Sequence, residues 1–313
     1  MNVSGILNLL NTNWRDFLMP YEIVLMNKMS NRSNRKVSLV ALAILVLIPA
    51  MAFAHQPHIV ESRLTTVPDP EVSKAYYAKL TGEPDVYFIK ATAPFDLYVG
   101  VLVPDIAGQK QDVSAVVLKD NNQIAMLEGT TFTWKQYFEE FGHDTYWQGP
   151  EYKARAEAGT YEIRVSSLNN NSKYSLAIGE REAFDMKEGL NALTLIPQIK
   201  KDFFNESPIN FILSPWCWGL IATMYVIAFI VGFIYRAILK KFAKNASRGV
   251  ARNIGKPDRL LRLAIGAGLF VWAITTTWSP ILIFFSGFAL FEAIFSWCGF
   301  YPLCLYLLAQ KHD

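Results

Sequence analysis

Two kinds of hydrophobic pattern divide the chain. Four runs, at residues 37–54, 211–241, 260–277 and 280–297, are apolar almost without interruption. Between the first and the second lie short segments in which apolar and polar positions tend to alternate: 86–92, 95–103, 113–119, 123–129, 160–167 and 173–179. They are rich in β-branched and aromatic residues, the mark of half-buried strands. Gly-Glu-Pro at 82–84, Asn-Asn at 121–122 and Asn-Asn-Asn-Ser at 169–172 punctuate them as turns. This pattern predicts an antiparallel β-sandwich over residues 55–189. Residues 132–151 interrupt it with aromatics and read as a short helix plus loop, either a plug for the core or a platform for a sugar or peptide. Residues 190–210 read as a helical or extended stalk, in which Pro197 limits any helix.

A helix that crosses a bilayer needs about 20 apolar residues. From Trp216 to Leu239 only Arg236 is charged. Trp216 and Trp218 at the front, with Tyr235, Arg236, Lys240 and Lys241 at the back, are suited to the two interfaces, so 211–240 is predicted to span. The last two runs are joined at residues 277–280 and predict a hairpin over 260–308. The first run differs. Lys28, Arg32, Arg35 and Lys36 precede it, and Ala52-Phe53-Ala54 closes it. A basic lead, a short apolar core and a small-x-small end are the parts of a signal peptide over 26–54, cut after Ala54; an uncleaved signal anchor is the alternative. Residues 1–25 form an upstream prefix, with Met26 and Met29 as alternative starts. The fold class expected is a multi-domain membrane protein: an extracytoplasmic antiparallel β-sandwich, then one span plus a two-helix hairpin.

Charge assigns the sides. The net charge of +3 hides a split. Residues 236–262 hold nine basic residues against one acid, Asp258, whereas 55–204 hold 15 basic against 21 acidic. Basic loops stay inside, so the loop at 241–259 is expected in the cytoplasm, the sandwich outside and the C-terminus inside, at a bacterial inner membrane. The expected partners are the lipid bilayer, an extracytoplasmic protein or glycan, and a second copy through the transmembrane helices. An acidic soluble region excludes a nucleic-acid binder. Cys217, Cys298 and Cys304 all lie outside the strand region, so no disulfide framework holds it, and they read as buried or membrane-facing thiols.

No catalytic constellation is present: the sequence has no Gly-x-Ser-x-Gly, His-Glu-x-x-His, phosphate loop or Cys-x-x-Cys. His143-Asp144 is a possible acid–base pair, and 119–123 reads as a turn before a calcium loop. The reading is a binding or scaffolding module rather than an enzyme, without a cofactor. Periplasmic copper handling is the alternative, and an enzyme of an unrecognised kind is the second. Cleavage after Ala54 would give His55 a free α-amine beside its imidazole, and His58 or His143 would add a third nitrogen of the kind copper favours. Pro57 has no N–H, which blocks a chelate through successive amides.

Two stretches carry resemblances. Residues 158–179 resemble the closing hairpin of jelly-roll-like sandwiches appended to secreted bacterial proteins. Residues 251–270 and 286–308 resemble the YgaP-like transmembrane domain, an inner-membrane family without an assigned function of its own. Asn253, Ile254, Gly255, Asp258, Arg259 and Arg262 match its lead-in motif. At the exit Gly-Phe-Tyr separates Cys298 from Pro302-Leu303, and Cys304 stands where the family often has Tyr. The resemblance implies two membrane helices with both ends cytoplasmic. Asp258 and Pro257 suit a first helical turn, and Arg259 and Arg262 are spaced to reach anionic headgroups. Glu292 falls inside the last run, where a carboxylate is costly, and a contact with Arg259 or Arg262 is expected.

Overall fold

The strand region pairs into two sheets in a computed structural model that describes residues 55–183, 186–242 and 253–300. The signal segment, the upstream prefix, Cys304 and most of the basic loop lie outside the described residues. The strands are β1 (Gln56–Ile59), β2 (Leu64–Thr66), β3 (Lys74–Lys79), β4 (Asp85–Ala91), β5 (Phe95–Pro104), β6 (Ser114–Lys119), β7 (Asn122–Leu127), β8 (Lys135–Glu139), β9 (Asp144–Ala156), β10 (Gly159–Ser166) and β11 (Lys173–Ile178). One sheet runs β1-β3-β11-β5-β9-β8, the other β2-β4-β10-β6-β7. Helices follow: α1 (Met186–Asp202), a 3-10 turn (Pro208–Leu213), α2 (Pro215–Phe242), α3 (Lys256–Trp272) running on into a π-helical turn (Ala273–Thr277), and α4 (Pro280–Phe295).

The inward residues follow strand parity. Phe95, Leu97, Val99, Val101 and Val103 of β5 face Tyr161, Ile163 and Val165 of β10 across one buried core. The six expected strands appear within two residues of their predicted bounds. Three expectations change. The sandwich is not wholly antiparallel, because β1 pairs β3 and β2 pairs β4 in parallel. The chain leaves β1 for the other sheet and returns in its original direction. Residues 132–151 are not a helix plus loop but hold the β8–β9 hairpin at a sheet edge. Trp134, just before it, lies against Gly149, where an added Cβ would sit 2.5 Å from the indole, and donates Nε1–H to the Gly129 carbonyl at 2.8 Å.

The third change is the stalk. Residues 186–202 form a full helix that lies on the outer face of the six-stranded sheet. Ala192, Leu193, Ile196 and Ile199 make its buried stripe at helical spacing and join Ala75, Tyr77 and Tyr146 of the sheet. Around β3 this sheet is therefore covered on both faces. That is why β3, Lys-Ala-Tyr-Tyr-Ala-Lys, shows no alternation: Tyr76 enters the sandwich core and Tyr77 faces α1.

The same apolar cluster continues without a gap through Phe203, Phe204 and Phe211 to Leu220, Met224, Trp278 and Ile283 of the helical bundle. Within the bundle, Pro215–Leu239 and Lys256–Thr277 are long and apolar enough to cross a membrane, and α4 is a shorter apolar helix. Small residues let them close up. Gly232 faces the Phe291 ring, Gly287 faces Tyr225, and the Tyr225 hydroxyl meets Ser286 Oγ at 2.8 Å. An added Cβ at Gly287 would lie 2.9 Å from the Tyr225 ring, whereas Gly268 looks onto open space. Gly287→Val is expected to cost about 1–3 kcal/mol by overpacking. Thermal unfolding in detergent, followed by circular dichroism, should show a lowered midpoint for Gly287→Val and none for Gly268→Val.

Candidate functional site

One set of polar groups converges where the sandwich meets its helices. Lys200, in the last turn of α1, is fully buried and donates Nζ–H to Asp144 Oδ1 at 2.7 Å. Asp144 opens β9, directly after the β8–β9 turn. Both side chains are almost wholly withdrawn from solvent, at 1% and 3% exposure. Burial pushes the Asp144 carboxyl up to about 6, against the pull of the Lys200 ammonium. Beside the pair, Tyr77 and Tyr146 share a hydroxyl hydrogen bond at 2.9 Å and pack edge-on against Phe203 and Phe204. Glu139 turns its carboxylate onto the N–H groups of Phe141 and Gly142, each at 2.7 Å, and burial raises its pKa.

Two further ties hold the junction. Ser214 precedes α2. Its hydroxyl donates to the Phe141 carbonyl at 2.6 Å, and its Oγ accepts the Trp216 N–H at 3.1 Å, so one side chain caps the helix and holds the turn. Lys173, the first residue of β11, donates Nζ–H to the carbonyls of Asp202 and Phe203 and to Asn205 Oδ1, at 2.7, 2.9 and 2.9 Å. An ammonium there meets the carbonyl end of α1 and its dipole. Chemically the junction is a set of matched charges and caps that fixes position.

The histidines do not converge. His55 lies just before β1, with its Nδ1 on the Ser73 hydroxyl. His58 lies three residues on, so strand parity turns it to the opposite face. There it stacks on Tyr76, its cross-strand partner, at 5.2 Å and 20°. Burial lowers its pKa, with Glu188 opposing and Lys74 adding to the shift. His143 occupies the β8–β9 turn at φ 62°, edge-on to Phe138 at 4.9 Å. Since β1 and β8 are the two outermost strands of the same sheet, His143 cannot complete a site with His55 or His58. Among the described residues no group of three His, Cys, Asp or Glu side chains could hold a metal ion.

The lead-in motif closes the far end of the α3–α4 hairpin. Asn253 donates Nδ2–H to the Cys298 carbonyl at 2.8 Å and accepts the Cys298 N–H at 2.7 Å. Gly255 caps α3 in an extended conformation, and its carbonyl accepts the Arg259 N–H at 3.0 Å. Asp258 lies 3.5 Å from Arg262, one turn on. The contact expected between Glu292 and one of the two arginines is made by Arg262, which is therefore turned inward rather than toward headgroups, while Arg259 stays exposed. Arg259 Nε–H donates to the Ala293 carbonyl at 2.9 Å, and Arg262 Nη1 pairs with the buried Glu292 carboxylate. Each finds a partner because the last turn of α4 offers a carbonyl and a buried carboxylate that need one.

Asp144 was visible only as half of a possible acid–base pair, and Lys200 only as part of a stalk. Helical spacing held the missed signal. Counting from Leu193 and Ile196, Lys200 falls on the apolar stripe of α1, where an ammonium needs a buried partner.

A two-sheet sandwich packed through a helix onto exposed apolar helices defines a membrane-associated protein with a β-rich domain. Residues 250–307 match the family described as inner membrane protein YgaP-like, transmembrane domain, the resemblance that the lead-in motif carries. No curated protein matches the chain. Among solved structures, it is similar to the pre-peptidase C-terminal domain of a collagenase from Bacillus anthracis, at 11% identity over 41% of this chain and 96% of that one, TM-score 0.23. It is also similar to the C-terminal domain of EclA, a sugar-binding protein, at 18% identity over 33% and 74%, TM-score 0.21. A third is CorA, a surface-associated copper-binding protein of Methylomicrobium album BG8, at 7% identity over 41% and 100%, TM-score 0.21. None of these likenesses bears on what this chain binds.

The Asp144–Lys200 pair makes a signed prediction. A carboxyl whose folded pKa is raised contributes stability below its unfolded value, and that contribution is lost as pH rises through about 6. Lys200→Met removes the ammonium that holds Asp144 down, so the carboxyl then ionises unpaired only at a large cost. Loss of one partner of a buried pair costs about 3–5 kcal/mol. Thermal unfolding of the full chain in detergent should show this loss at pH 8 and a much smaller one at pH 5. Equal losses at both pH values would mean that Asp144 does not titrate at this junction.

Proposed function

We propose that this chain is a cell-envelope protein of the bacterial inner membrane whose β-sandwich lies outside the cytoplasm. There it acts as a binding or scaffolding module for a protein or glycan, not as an enzyme. The observation that carries this reading is the unbroken apolar cluster from the outer face of the six-stranded sheet, through α1, into the bundle. A module meant to move freely would be separated from its anchor by a solvated linker. Here the chain between sandwich and bundle is buried at Phe203, Phe204 and Phe211, and it holds the sandwich in one orientation over its helices. Such a fixed platform suits recognition and assembly at the membrane surface. The basic segment around residues 236–262 supports an inside position for its loop, and hence an outside position for the sandwich.

Cysteine labelling with a membrane-impermeant maleimide tests the sidedness. Lys153→Cys on β9 should label in intact spheroplasts, and Lys244→Cys in the basic loop only after lysis. The reverse pattern would overturn the topology. Crosslinking of intact cells followed by purification should then recover an envelope protein or glycan with the chain. Recovery of the chain alone, or turnover of a polymer by the purified protein, would count against the binding role.

A further inference from the structure

The end of the sandwich nearest α2 carries apolar side chains that the protein itself leaves uncovered. Strand directions identify this end: β3 finishes there at Lys79, β9 begins at Asp144, β11 begins at Lys173 and α1 finishes at Asp202. The β8–β9 turn is held level with the start of α2. Ser214 binds the Phe141 carbonyl, and the Phe141 ring lies 5.8 Å from that of Trp216. On the hairpin, Tyr137 is 42% exposed and Phe138 49%. As neighbours in β8 the two point to opposite faces of the hairpin, and among the described residues only Phe138 meets a ring, that of His143 in the turn. In the β10–β11 loop Leu168 is 72% exposed. That loop is fixed to the same end, through Asn170 accepting the Gly82 N–H at 2.8 Å and through Lys173 on the last carbonyls of α1. At the same level, Leu213 and Trp218 are exposed where α2 begins.

We propose that the β8–β9 hairpin and the β10–β11 loop rest in the headgroup region of the same bilayer that the helices cross, with Tyr137, Phe138 and Leu168 as the inserted side chains. The inference rests on the membrane reading above. Continuity argues for lipid as the occupant. The β8–β9 turn that follows Tyr137 and Phe138 places Phe141 against Trp216, a residue suited to the interface, and is hydrogen-bonded to the residue before the helix. The contact is apolar rather than electrostatic. Glu139 is turned inward onto its own turn, while Glu140 stays exposed, which makes anionic lipid no requirement. The sandwich would then be held at the bilayer from two sides: by its helices, and by its own loops.

Nitroxide collision measurements on the full chain in phosphatidylcholine nanodiscs test this. Labels are placed singly at Phe138→Cys, Leu168→Cys, Glu157→Cys at the opposite end of the sandwich, and Ile234→Cys on the exposed face of α2, in a background with Cys217, Cys298 and Cys304 replaced by Ser. The ratio of oxygen to nickel-chelate collisions should be severalfold higher at 138 and 168 than at 157. If 138 and 168 match 157 while 234 is in lipid, the loops do not touch the bilayer and the inference fails with the membrane reading intact. If 234 is itself aqueous, the membrane reading fails first. Low collision with both agents at 138 and 168 means protein covers them and also overturns the inference. Because the cysteine replacements could disturb packing, a benzophenone side chain at Phe138 in the otherwise native chain gives a second measurement. It should crosslink phospholipid, and crosslinking only to protein overturns the proposal.

Discussion

Lys200 on Asp144 is the contact around which the two halves of this molecule are arranged. An ion pair so fully withdrawn from water adds little net stability over a well-packed apolar pair, and breaking it is expensive. Its effect is therefore on geometry: α1 fits the outer face of the six-stranded sheet in one register, with Lys200 opposite the first residue of β9. That register carries Ile196, Ile199, Phe203 and Phe204 onto Tyr77 and Tyr146, and delivers the chain to Ser214 beside the β8–β9 turn. A slip of one residue would swing Lys200 about 100° from Asp144 and expose part of the apolar stripe. Lys173 and Ser214 then secure the two ends of the connection with groups that helix termini need in any case.

The far end of the bundle uses the same logic with different residues. Glu292 is buried in α4, where an unpaired carboxylate would be costly, and Arg262 of α3 neutralises it. Arg259 satisfies a carbonyl in the last turn of α4, and Asn253 a carbonyl and an N–H of Cys298 just past its end. The motif that the YgaP-like family shares is, in this chain, the fastener of a hairpin. Each of its polar groups with a long side chain has a partner on the neighbouring helix or its exit. Small residues at Gly232, Gly266 and Gly287 then bring the helices close enough for those bonds to form.

Much of the sandwich was legible because most of its strands expose one face, and alternation reports that face. β4, β5, β6, β7 and β10 were readable in this way, and β11, buried at both parities, was marked instead by the Asn-Asn-Asn-Ser turn at 169–172 before it. β3 was not, since α1 covers its outer side and both parities are buried. β8 and β9 were hidden by their aromatics, which serve two surfaces: Trp147 packs against the sandwich core and Tyr146 toward α1. α1 was masked by Pro197 and by Lys200-Lys201, which read as the polar end of a stalk until the partner 56 residues earlier is known. The histidines show the opposite failure. A shared nitrogen site was expected of them, and the fold does not gather them, because strand parity separates His55 from His58 and the width of a sheet separates both from His143. At the lead-in motif the residues were legible from resemblance, while the bond of Arg259 Nε–H depends on a carbonyl that only the folded hairpin brings near.

A rigid connection between sandwich and bundle is the claim on which the rest stands. Electron–electron spin-label distance measurement between Lys153→Cys on β9 and Ile265→Cys on α3, in lipid nanodiscs, tests it most directly. One narrow distance distribution is expected. A broad distribution, of the kind given by two domains on a flexible linker, would contradict it.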